Sequence, residues 1–349
     1  MPEPTTQRPE RSGRPERPGR PERPGPPAPL LSVRDLRISF GGTEVVRGLS
    51  FDVRPREVLA LVGESGAGKS LTARALLGML PRGAATAGEI RLDGSTDLAA
   101  ARGRRIALVP QDALSALSPV HPVGDQLAAV VRSLHRVSRS EARARAVAAL
   151  DRVGIPDAAR RARAYPHEYS GGMRQRAVIA MAMLGAPGLV VADEPTTALD
   201  AGRRAQVLRV LAEQREAAGA ALLLVTHDLD VVREHADRVL VMYAGRASEL
   251  GPAKAVLDRP RAPYTAGLLA SLPQDGPRRR RLPTLPGTPP VPGALPPGCA
   301  FAPRCPLAAD LCRTEEPEPR GTDGRLAACH RTDEVPADPA TLFREGRPA

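Results

Sequence analysis

Short apolar runs, not long ones, set the pattern of this chain. Over residues 31–40 and 45–53 apolar and polar positions alternate with the period of half-buried strands, and Gly41-Gly42 supplies a turn between them. Residues 58–62 are uniformly apolar and lead into a Gly-rich loop and a helical pattern over 70–80, the opening of a βα unit. Residues 106–109, 189–192 and 220–225 repeat the apolar run, with a helical pattern over 203–218 between the last two, so a parallel sheet covered on both faces is expected. Between 114 and 168 the strands stop, and an Ala-, Arg- and Leu-rich stretch, notably 139–153, predicts a helical subdomain over about 114–186.

The two ends of the chain read differently. Residues 1–29 carry a repeated Arg-Pro-Glu-Arg hexapeptide, too polar and Pro-rich to bury a core, which predicts a disordered tail. They also lack the apolar segment of a signal peptide. An α/β domain is expected over 30–251, and a loop-rich C-terminal extension with many prolines, an Arg278–Arg281 run and all four cysteines over 252–349.

Composition narrows the function classes. At 349 residues and 42% hydrophobic content the chain can bury a sizeable core, yet no run approaches the ~20 apolar residues of a spanning helix. The formal charge of +11 comes almost wholly from arginine, since Lys69 and Lys254 are the only lysines. With 2% aromatic residues and no Trp there are few platforms for stacking bases, so no nucleic-acid partner is expected.

The candidate chemistry begins with Gly63-Glu64-Ser65-Gly66-Ala67-Gly68-Lys69-Ser70 between an apolar strand and a helix. Backbone N–H groups of such a loop cradle phosphates, Lys69 neutralises the terminal ones and Ser70 offers a hydroxyl to Mg²⁺. Nucleotide contacts are therefore assigned from Gly63 through Leu71. Downstream, an apolar strand ends in Asp193-Glu194, which places Asp193 to hold Mg²⁺ and Glu194 to act as general base on the attacking water.

Tyr169-Ser170-Gly171-Gly172-Met173 precedes a helical pattern about twenty residues ahead of that acidic strand. A Ser hydroxyl, two glycine amides and a helix start form a second anion site. In this place the motif resembles the signature of ATP-binding cassette (ABC) proteins, in which two subunits sandwich each ATP between one phosphate loop and the opposing signature. The resemblance implies a P-loop NTPase (RecA-like) α/β core with an antiparallel β subdomain, the inserted helical subdomain and the extension. It further implies a Q-loop role for Gln111 toward Mg²⁺ and water, a D-loop role for Asp200, a switch role for His227 at the γ-phosphate, and adenine stacking for Phe40. Two departures stand out: Tyr169 occupies a position where the family usually has Leu, and Met173 one where Gln is common.

Tyr165-Pro-His-Glu168, Val241-Met-Tyr-Ala-Gly245 and Pro263-Tyr-Thr-Ala-Gly-Leu-Leu-Ala270 resemble the ATPases of dipeptide/oligopeptide importers, a pattern that nickel importers share. That family implies an ATP hydrolase coupled to peptide uptake at the cytoplasmic face of the membrane. Its partners would be two integral membrane permeases, a second ABC ATPase in a heterodimer and an extracytoplasmic substrate-binding protein. Cys299, Cys305, Cys312 and Cys329 are separated by five, six and sixteen residues, unlike zinc-ribbon pairs. The resemblance makes them ligands of a [4Fe-4S] cluster; structural zinc and free or disulfide-bonded thiols are the alternatives. A soluble ABC ATPase acting on nucleic acid or ribosomes, and a P-loop kinase, are the rivals from other classes; the first usually carries two cassettes, and this chain has one phosphate loop.

Overall fold

The structure is a computed structural model that describes residues 28–197, 199–272, 284–322 and 324–343. The N-terminal repeat and the Arg278–Arg281 run lie outside these residues. Strands β1 (Leu31–Phe40) and β2 (Thr43–Val53) form the expected hairpin. Strand β3 (Val58–Val62) follows, then helix α1 (Lys69–Leu76). The helical pattern over 70–80 ends early because Gly78 takes φ 61° and its N–H bonds back to the Ala75 carbonyl, closing the helix as a left-handed glycine does.

Strand β4 (Ala84–Leu92) completes a three-stranded antiparallel sheet in the order β2-β1-β4. The sequence pattern does not announce it. Most of its side chains are exposed on this sheet edge, which removes the apolar alternation that marks a strand. Helix α2 (Leu98–Ala101) and strand β5 (Ile106–Val109) lead into a purely helical stretch of α3 (Ala113–Ala116), α4 (Val123–Leu134), α5 (Arg139–Arg152), α6 (Ala158–Arg161) and α7 (Gly171–Met183). Ser138 caps α5 by accepting the Glu141 N–H, which fixes its start at the residue the pattern predicts.

Strand β6 (Leu189–Asp193), helix α8 (Ala201–Ala218), strand β7 (Ala221–Val225), helix α9 (Leu229–His235) and strands β8 (Arg238–Tyr243) and β9 (Arg246–Pro252) complete the central domain. Helices α10 (Ala253–Asp258), α11 (Pro263–Ala270) and α12 (Asp310–Thr314), with strand β10 (Leu326–Ala327), belong to the C-terminal region. The large sheet runs β10-β9-β8-β3-β7-β6-β5, parallel from β8 to β5, with β9 and β10 antiparallel at the far edge. β3, β6 and β7 are buried at every position, as parallel strands covered on both faces must be.

Side chains alternate between two cores across this sheet. Leu59, Leu61, Val191 and Leu223 pack toward the antiparallel sheet, whereas Val190, Ala192, Leu222 and Leu224 pack with the inserted helices. A third core joins Val239, Val241 and Tyr243 to α10, α11 and Phe301 of the extension. The parallel strands all finish on one edge: Gly63, Gln111, Glu194 and His227 each follow within two residues of a strand end. Loops at this edge are where α/β sheets build their sites. Among the described residues no helix is long and apolar enough to cross a membrane.

Candidate functional site

The phosphate loop leaves the carboxyl end of β3 at Gly63, where there is no space for a side chain. A Cβ on Gly63 would sit 2.2 Å from the Met242 carbonyl oxygen, and φ is 152° there, so glycine alone fits. At the far end of the loop Lys69 is buried, and its ammonium donates to the carbonyls of Gly63 at 2.8 Å and Glu64 at 3.0 Å. Burial lowers the Lys69 pKa, and the negative charges of Glu194, Asp193 and Glu64 work against that shift. The lysine thus stands among acids across the site.

The next contact joins the loop to the acidic strand. Ser70 Oγ donates to Asp193 Oδ1 at 3.0 Å, so two of the predicted Mg²⁺ groups meet although they lie far apart in sequence. Burial raises the Asp193 pKa, and the Ser70 bond opposes this. Beyond it, Glu194 adopts φ 46°, a left-handed conformation costing about 1–2 kcal/mol in a non-glycine residue, while its N–H donates to the Val225 carbonyl at 2.9 Å. Backbone strain of this kind concentrates at functional sites.

Three side chains from three different loops meet the Glu194 carboxylate. Gln111 Nε2 donates to Oε2 at 3.3 Å, Thr197 Oγ1 donates to the same oxygen at 2.9 Å, and His227 Nδ1 lies 3.4 Å from it. His227 is 66% exposed and so faces the open side of the site. Thr197 is absent from the residues that the sequence suggests. Its only local signal is its position three residues after the base, the spacing at which a hydroxyl reaches back across a turn.

The other assigned residues lie around this centre or away from it. Phe40 ends β1 opposite Thr43, half-buried against the core beneath the loop. Ser170 caps α7 by accepting the Met173 N–H at 3.3 Å, and Gly171 approaches Leu199 while Gly172 approaches Arg203. Asp200 caps α8 by accepting the Arg203 N–H at 3.0 Å. Tyr169 is fully buried among the inserted helices, its hydroxyl donates to the Arg161 carbonyl at 2.9 Å, and burial pushes its pKa up to about 12. The unusual signature residue therefore fills the core beneath Ser170, and the backbone of the signature keeps its helix-capping form.

The extension places Cys299, Cys305, Cys312 and Cys329 on the wall of one cavity, none of them in a disulfide. Among the described residues no group of three or more His, Cys, Asp or Glu lies close enough to hold a single metal ion. Cys329 Sγ accepts the Arg331 N–H at 3.2 Å. Burial pushes the Cys305 and Cys329 thiols up to about 12 and about 11.

The ABC transporter family model matches residues 46–197, and the model of the oligopeptide/dipeptide transporter C-terminal region matches 248–312. The chain is 49% identical to the oligopeptide transport ATP-binding protein OppD of Mycobacterium tuberculosis, over 92% of this chain and 56% of that protein. It thus spans little more than half of that relative's length. It is 45% identical to the probable peptide ABC transporter ATP-binding protein y4tR of Sinorhizobium fredii, over 88% of this chain and 96% of that protein. Among solved structures, cbiO1 from Clostridium perfringens, part of the ABC transporter complex cbiONQ, superposes with a TM-score of 0.57 at 27% identity, covering 65% of this chain and 90% of that one.

Proposed function

The chain belongs to the ATP-binding proteins of ABC transporters, in their oligopeptide/dipeptide branch, and from this premise we propose that it hydrolyses ATP to drive peptide uptake. The observation that carries the reading is the meeting of Gln111, Thr197 and His227 on the Glu194 carboxylate, beside the Ser70–Asp193 pair. Phosphates would lie against the loop amides from Gly63 to Leu71, with Lys69 turned from its carbonyl partners toward them. Mg²⁺ would be held by Ser70 and Asp193, with Gln111 reaching toward it, and would supply charge neutralisation between the phosphates. Glu194 orients the water and takes its proton, Thr197 holds the carboxylate in place, and His227 faces the γ-phosphate.

Ser170, Gly171, Gly172 and Asp200 complete the site of a second ATPase subunit, and that subunit's signature completes this one. The exposed Ser170 hydroxyl and the start of α7 are suited to this role. Two permeases and an extracytoplasmic binding protein would complete an importer, with this chain at the cytoplasmic face of the membrane. Relatives named for peptide transport favour peptides over nickel as cargo. The test is Glu194→Gln in the assembled transporter: ATP binding is expected to persist while turnover falls by two orders of magnitude or more, on the order of a lost general base. Unchanged turnover would remove Glu194 from this role.

The cysteine cavity supports a second assignment, a [4Fe-4S] cluster held by Cys299, Cys305, Cys312 and Cys329. Four thiols line that one wall, and the Arg331 N–H aimed at the Cys329 sulfur is the kind of contact that tunes such clusters. Protein purified without oxygen is expected to contain iron and to absorb in the visible range. Colourless, iron-free protein would sink the assignment.

A further inference from the structure

Glu64, the second residue of the phosphate loop, is held on three sides. Its carbonyl accepts from Lys69 Nζ at 3.0 Å, its N–H donates to the Tyr264 hydroxyl at 2.8 Å, and its carboxylate accepts both arms of the Arg304 guanidinium, at 2.7 and 2.9 Å. Tyr264 lies on α11 and Arg304 sits beside Cys305, so two of the three restraints come from the C-terminal extension. Arg304 is itself fixed: its side chain is 5% exposed, Nε donates to the Pro286 carbonyl at 2.7 Å, and Nη1 also reaches the Tyr243 hydroxyl at 3.2 Å. A planar fork clamped at its base and against two rings can hold a carboxylate in one orientation, which lysine cannot do.

We propose that Arg304 is a positioning residue of the nucleotide site, by which the C-terminal extension locks the phosphate loop through Glu64. An acidic side chain in a loop that receives an anion is a liability, because its charge opposes the phosphates and competes for Lys69. Pairing with Arg304 neutralises that charge and turns it away, while the Tyr264 hydroxyl fixes the adjoining amide. The loop is then ready for phosphates before ATP arrives, and its order depends on a segment about 240 residues away in sequence.

The inference rests on the reading that this loop binds ATP, and one set of titrations separates the two. The full chain is titrated with a fluorescent ATP analogue and Mg²⁺ as wild type, Arg304→Gln, Arg304→Lys, Glu64→Gln and the double variant Glu64→Gln/Arg304→Gln, with melting temperature recorded without nucleotide. Arg304→Gln is expected to weaken binding about tenfold or more, Arg304→Lys by less, and the double variant to recover only part of that loss, staying about threefold or more below wild type, because the unpaired charge is gone but so is the lock. Two results would overturn the proposal: Arg304→Gln that melts lower yet binds nucleotide as wild type does, or a double variant that binds no better than Arg304→Gln. If Arg304→Gln does not fold, the double variant and Arg304→Lys decide it, and wild-type affinity in both overturns it when Glu64→Gln binds equally well. Wild type that binds no analogue would sink the reading of the loop itself.

Discussion

Thr197 Oγ1 donates to Glu194 Oε2 at 2.9 Å, and this bond aims a carboxylate whose backbone is already held at φ 46°. A hydrogen bond to a charged group contributes about 1.5–3 kcal/mol, so Thr197→Val should lower kcat about tenfold or more. The KM for ATP should stay near its wild-type value, because the bond orients the base and touches no phosphate. Steady-state ATPase assays on the assembled transporter check this; an effect confined to KM would instead place Thr197 in nucleotide binding.

Tyr169→Phe removes the hydroxyl that donates to the part-buried Arg161 carbonyl. A loss of about 0.5–1.5 kcal/mol in stability is expected, the net worth of one hydrogen bond, since that carbonyl keeps the Ala164 N–H at 2.9 Å. Ser170 still caps α7 in that variant, so ATPase activity per folded molecule should hold. Denaturant unfolding read beside the ATPase rate distinguishes this from a role of Tyr169 in catalysis.

Glu316 joins the extension to the central domain. It accepts both arms of Arg47, at 2.7 and 3.1 Å, and pairs with Arg246 at 2.7 Å. Burial alone would push the Glu316 carboxyl up, but the hydrogen bonds and charges of the two arginines hold it below the usual carboxylate range. A depressed folded pKa means stability present above the unfolded value, near 4.5, and lost as pH falls through the folded pKa. Glu316→Gln should therefore melt lower than wild type at neutral pH, and the gap should close toward acid below that value. A gap independent of pH across this range would show that the pair contributes through packing alone.

Much of the site could be read from the sequence because its parts are local. The phosphate loop needs glycines at set spacing, and the acidic pair follows directly on an apolar strand. The N-caps Ser138, Ser170 and Asp200 reach amides three residues away, so their effect is complete within one turn of chain. Strands β4, β8 and β9 were harder. β4 is an exposed sheet edge, and β8 and β9 form a hairpin on which a run of family-like residues says nothing of pairing.

The sequence by itself determined most elements of the central domain, the phosphate loop and the identity of the acids, because periodicity, glycine spacing and strand composition act over a few residues. Only the tertiary structure decided that Gln111, Thr197 and His227 share one carboxylate, that Tyr169 is core, and that the cysteines line one cavity. It also decided that Arg304 grips the phosphate loop. Each of these follows from the strand order β8-β3-β7-β6-β5 and from the extension folding back on β8, and long-range pairing leaves no periodic trace along the chain.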